Sequence, residues 1–179
     1  MLKLISKSKT AVISLVAACA VMFAGTVVAG EGKARFKPGP DTIATIAVEN
    51  GNFTTLVAAL SCTGLVGAVA DPDAELTVFA PNDAAFGKLN YTADNICSEI
   101  DSATLTDILL YHVVAERRPS PSVINGMNKE IDTLLGETLF PAGMGSLEIS
   151  ANNSTVNVVA ADILASNGII HVIDFVLLP

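Results

Sequence analysis

The chain has 179 residues, 51% of them hydrophobic, with 18 acidic side chains against 10 basic ones and a formal net charge of −8. A surface this acidic repels phosphate backbones and anionic headgroups, so nucleic acid and charged membrane surfaces are poor partners. The length suits one domain with a sizeable core.

Residues 1–29 read as a secretory signal. Lys3, Lys7 and Lys9 form a positive start, Ala11 to Val28 is an almost unbroken apolar run, and Val27-Val28-Ala29 places small residues before a cut at Gly30. Removal takes three basic residues and no acidic ones, leaving 7 basic against 18 acidic and a net charge of −11, with no membrane insertion expected of the remainder. Two alternatives stay open. The run could be retained as an anchor, since it is just long enough to span a thin bilayer, or Val16-Ala17-Ala18-Cys19 could serve as a lipobox that leaves Cys19 acylated. Residues 30–40, with Pro38, Gly39 and Pro40, form a polar lead-in to a domain over 41–179.

Ile43, Ile46 and Ala47, then Phe53, Leu56, Val57 and Leu60, recur at helical spacing. They predict two short helices broken at Asn50-Gly51-Asn52, with Asn52 as the second N-cap. Asp71-Pro72-Asp73 turns the chain into a short buried strand over Leu76 to Ala80, which Pro81 ends. Asn82 and Asp83 then suit the start of a helix, as caps and as negative charge at its positive end, with Phe86 and Leu89 facing the core. A further helix is predicted from Ala103 to Val114. Leu105, Leu109 and His112 share one stripe of it and Tyr111 flanks that stripe, so His112 should be buried, bonding its helix to the Asn82 corner. Arg117-Arg118-Pro119-Ser120-Pro121 is a loop that no helix crosses. Beyond it, Glu130 to Leu135, Glu137 to Phe140, Leu147 to Ser150, Thr155 to Val159 and Ile169 to Leu178 read as strands parted by Gly and Asn turns. Helices followed by an antiparallel sheet make an α+β domain. The last strand is too apolar for an exposed edge and should lie inside the sheet beside Thr77 to Ala80.

Three segments, Thr77 to Phe86, Tyr111-His112 and Asn167 to Asp174, resemble in order and spacing the motifs of the fasciclin domain. The resemblance covers about Asp41 to Pro179. It implies a fasciclin-type α+β fold and an adhesion or binding module: a secreted or periplasmic protein that contacts cell-surface or matrix protein or polysaccharide. In animal members the Tyr-His pair is associated with adhesion and an Asp-Ile pair with integrin binding, which makes Tyr111, His112, Asp162 and Ile163 candidates. Asn82 and Asp83 join them as loop groups at the first motif. For each of the six a structural role competes: core histidine, turn or cap, packing. The alternative function is a carrier or sensor holding a small apolar ligand between the helical and sheet layers, and a large apolar pocket there would favour it.

No catalytic constellation stands out. His112 and His171 are the sole histidines, and the chain has no GxSxG, HExxH or glycine-rich phosphate loop; no enzyme activity, cofactor or metal is expected. Outside the leader Cys62 and Cys97 remain, an even number in an exported chain, which predicts a disulfide in preference to two buried thiols.

Overall fold

The computed structural model describes residues 39–124, 130–142, 148–151 and 154–179. The leader, Cys19 and most of the lead-in lie outside them.

Two helices open the domain, α1 (Ile43–Asn50) and α2 (Thr54–Thr63). The break between them falls where the sequence places it, because Gly51 adopts φ 72°, a left-handed conformation that ends α1 without a Cβ penalty. Asn52 is not the cap of α2. Phe53 holds that position and supplies no side-chain bond, so the first amides of α2 must be satisfied from elsewhere. A short helix α3 (Val66–Ala70) leads into strand β1 (Leu76–Pro81), followed by α4 (Asp83–Gly87), α5 (Ile96–Glu99) and α6 (Ser102–Tyr111).

The last of these is shorter than the periodicity predicts. His112 is its C-cap, and Val113–Val114 form strand β2, which pairs antiparallel with β1. Two adjacent β-branched residues favour the extended pairing over another helical turn. A further helix, α7 (Ser120–Ile124), occupies part of the segment read as loop: Pro121 stands in its first turn, where a missing N–H costs nothing.

The remaining strands are β3 (Ile131–Asp132), β4 (Thr138–Ala142), β5 (Glu148–Ala151), β6 (Ser154–Ala165) and β7 (Gly168–Ile173). Among the described residues they form one sheet of order β2-β1-β7-β6-β5-β4-β3. All its pairs are antiparallel except β1 with β7, which run parallel with Phe79 opposite His171. The predicted central place of the last strand therefore holds. Both β1 and β7 are buried along their whole length, which is why they read as continuous apolar runs without alternation. Leu134, just past β3, donates its N–H to Val113 in β2 at 2.8 Å and so draws the two ends of the sheet together. The sixth strand continues well past Val159 through register shifts that take in Asp162 and Ile163.

Successive residues of the central pair face opposite cores. Val78, Ala80, Ile170 and Val172 pack under the helices with Leu56, Leu60, Leu105 and Leu109. On the other face Phe79 and Ile173 join Tyr111, Val123, Leu139 and Leu177. Cys62 and Cys97 are bonded, with Cα atoms 6.1 Å apart, tying α2 to α5.

Candidate functional site

At the corner where β1 meets α4, Asn82 accepts a hydrogen bond from the Ala85 N–H at 2.8 Å, a local N-cap. Asp83 works across the fold. Its carboxylate accepts from the Thr55 N–H at 2.8 Å, the Thr54 N–H at 3.2 Å and the Thr54 hydroxyl at 2.8 Å, while its own N–H donates to the Asn52 carbonyl at 2.9 Å. Asp83 is thus the missing cap of α2. Partial burial would raise its pKa, but the bonds from Thr55 and Thr54 outweigh this and hold it below the usual carboxylate range. Asp83→Ala is expected to cost about 1 to 2 kcal/mol, more than Asn82→Ala, since the helix it caps is ten residues long. Urea unfolding checks this, and an unchanged midpoint would remove Asp83 from the account of α2.

Next to this corner lies an open cleft of about 400 Å³, between the α1–α2 turn, the start of α4 and the bulged part of β6. Asn50, Asn52, Asn82 and Asp83 supply its polar lining, and Phe53, Ile163 and Val172 its apolar one. Three of the six sequence candidates, Asn82, Asp83 and Ile163, therefore meet at one surface.

Tyr111, His112 and Asp162 point elsewhere. Tyr111 is 1% exposed within the second core, and burial, with the charge of Glu137, raises its pKa. His112 is 2% exposed. Its Nδ1 donates to the Ile108 carbonyl at 2.7 Å and its Nε2 accepts from the Leu177 N–H at 2.9 Å. The expected tie to the Asn82 corner is absent; the ring, at the C-cap of α6, instead fastens that helix to the C-terminal segment. Burial pushes its pKa down to about 4, only partly opposed by the Ile108 carbonyl. Asp162 adopts φ 57°, a conformation aspartate tolerates better than most residues. Its carboxylate accepts from the Ser120 N–H at 2.7 Å and from the Ser120 hydroxyl, capping α7.

Two residues of structural weight escaped the sequence reading. His171 is fully buried: its Nε2 donates to the Arg118 carbonyl at 2.8 Å, its Nδ1 accepts from the Asp162 N–H at 3.3 Å, and its ring stacks on Phe79. Asn167, also fully buried, accepts from the Ile43 N–H at 2.9 Å and donates to Val69 at 3.0 Å and Asp71 at 2.8 Å. The Asn-Gly pair signalled a turn; it gave no sign that the amide reaches about a hundred residues back. Arg117 and Arg118, the basic pair, are bonded to Ser166 and Glu116. Among the described residues no group of three His, Cys, Asp or Glu side chains is placed to hold a metal ion.

The structure therefore combines a helical layer on a mostly antiparallel sheet, a strand-to-capped-helix corner that opens on a surface cleft, and two histidines committed to backbone bonds. The fasciclin domain model matches residues 51–179, and the chain belongs to the fasciclin domain family. It is 39% identical over 140 residues to protein sll1483 of Synechocystis, covering 77% of this chain and 73% of that one. It is 35% identical over 149 residues to the cell surface glycolipoprotein MPB83 of Mycobacterium bovis, covering 78% of this chain and 61% of that one. The fold is also similar to the solved domain pair of the insect cell adhesion molecule fasciclin I, with a TM-score of 0.66 at 20% identity over 78% of this chain. The chain spans about half of that structure, 51% of its length. The family is related to cell adhesion in general. No helix among the described residues is long and apolar enough to cross a membrane.

Proposed function

We propose that this chain is an exported binding module that adheres to cell-surface or matrix material through the loops around the α1–α2 turn and the β1–α4 corner. Residues 1–29 serve as its signal, 30–40 as a lead-in and 41–179 as the adhesive domain. The observation that carries this reading is where free space lies among the described residues. The cleft open to solvent holds about 400 Å³. The apolar spaces beneath the helices hold 20 Å³ around Phe53, Leu56 and His112 and 80 Å³ around Leu65, Leu110 and Leu134. A small-molecule site needs roughly 300 Å³ or more, so these interior spaces weigh against the carrier.

The protein acts outside the cytoplasm, in the periplasm or beyond. Attachment through Cys19 is the second reading, favoured by the name of the mycobacterial relative, a cell surface glycolipoprotein. Protein purified from its host tests both. Retention on the host's own envelope or matrix fraction is expected, along with a mature start at Gly30; an acylated Cys19 would move the protein to the tethered form. Failure to bind, together with a stoichiometric apolar molecule co-purifying, would replace adhesion by transport.

A further inference from the structure

Resting on that adhesive reading, we propose that the cleft beside Asn82 is a binding site for an uncharged saccharide unit of the surface polymer. Its polar lining is dominated by carboxamides. Asn50, Asn52 and Asn82 line a space whose remaining lining includes Phe53, Ile163 and Val172.

Part of their hydrogen-bonding capacity is already committed. The Asn52 amide donates to Asn50 Oδ1 at 2.8 Å, and Asn82 Oδ1 accepts from Ala85. The Nδ2 groups of Asn50 and Asn82 donate to no other described residue, and Asn52 Oδ1 accepts from none. A carboxamide has two donors and an acceptor with two lone pairs, so the cleft offers unused donors and an unused acceptor side by side. A ring bearing vicinal hydroxyl or acetamido groups presents the same mixture, and its C–H face suits the apolar lining.

Charge selects among such rings. The one carboxylate of the cleft, Asp83, is ionised and held by Thr54 and Thr55, and the described cations Lys88, Arg117 and Arg118 are each paired with an acid away from it. No described cation lines the cleft. Uronate, sulfate or phosphate groups would meet repulsion there without compensation, which leaves neutral hexoses and N-acetylhexosamines.

The test titrates the purified protein with an N-acetylglucosamine trisaccharide and a glucose trisaccharide, reading the side-chain amide resonances of Asn50, Asn52 and Asn82. The expected result is saturable shifts at those amides with at least one neutral sugar and none with a polyuronate. Asn50→Ala, which touches no cap, should weaken binding about tenfold, as loss of one used hydrogen-bonding side chain does. Ala160→Arg, placed to fill the cleft from an exposed position, should abolish it with unfolding stability unchanged.

Adhesion to the host envelope separates this proposal from the broader one. Binding lost on enzymatic deglycosylation of the envelope and in Ala160→Arg supports the saccharide site. Binding that survives both but is lost on protease treatment of the envelope overturns the saccharide site and leaves adhesion standing on a protein partner. Shifts confined to residues outside the cleft, or none with either sugar, overturn it as well.

Discussion

Asn167→Ala is expected to destabilise the domain by about 3 to 5 kcal/mol. The side chain is fully buried and serves three backbone groups: the N–H of Ile43 at the first turn of α1, and the carbonyls of Val69 and Asp71 at the end of α3. Truncation strands all three in or near the core, at about 1 to 3 kcal/mol for each one that water does not reach. The neighbouring Gly168 shows how tightly the turn is packed: a Cβ there would collide with the Leu76 carbonyl and the Ile43 side chain. Urea unfolding followed by circular dichroism reads the effect. Asn167→Asp is the informative companion, since it keeps the acceptor for Ile43 but turns two donors into acceptors facing carbonyls, and it should be no more stable than the alanine variant. A loss below about 1 kcal/mol for Asn167→Ala would show that the three partners find water and that this residue is not what joins α1 and α3 to the β6–β7 turn.

Stability should fall as the pH drops from about 6.5 to 4. His112 is held neutral in the fold with a pKa of about 4, against 6.5 for an unburied imidazole. Between those values the unfolded chain binds the proton and the folded one does not, so stability rises with pH across that window and the contribution is fully present above it. The difference corresponds to about 3 kcal/mol. Geometry gives the same sign, since protonating Nε2 would destroy the acceptor of the Leu177 N–H. His171 adds to the trend: burial lowers its pKa, against the opposing pull of the Arg118 carbonyl and the Asp162 charge, and its Nδ1 accepts from the Asp162 N–H. The carboxylates act in a lower range. Hydrogen bonds hold the pKa values of Asp83 and Asp174 below 3.8 despite partial burial, so their contribution is present above 3.8 and lost as the pH falls further. His112→Ala should cost about 1 to 3 kcal/mol at pH 7.5 through a cavity and an unpaired Leu177 amide. It should also flatten the slope between pH 6.5 and 4. A variant whose stability at pH 7.5 is unchanged while adhesion is lost would turn His112 from a structural residue into a binding one.

The main outline of the fold was legible because it rests on local signals. Periodicity marked α1 and α2, the run of β-branched and apolar residues marked β1 and β7, and Asn82 before an apolar helix marked its own cap. Boundaries were less legible where two tendencies compete at the same residues. Val113 and Val114 continue the helical stripe of α6 but pair with β1, and Thr155 to Val159 gives no hint that the strand runs on through Asp162. The cleft was half legible: Asn82, Asp83 and Ile163 were named, whereas Asn50 and Asn52 read as a helix break, Val172 as a strand residue, and Ala160 lay just past the predicted end of its strand.

The sequence by itself determined an acidic fasciclin domain with helices before strands, a buried terminal strand, a pair of cysteines able to bond and a histidine on an apolar stripe. Each follows from composition, from the 3.6- and 2-residue periods or from motif order, quantities that neighbouring residues carry. Tertiary structure alone decided the partners. Asp83 caps α2, Asn167 serves the first turn of α1 and Asp162 caps α7, each from a distant element, and His112 bonds Leu177 and not the Asn82 corner. A helix leaves its first amides unsatisfied whatever the sequence, but which acceptor reaches them depends on where the sheet brings β6, β7 and the β1–α4 corner, and no local pattern encodes that.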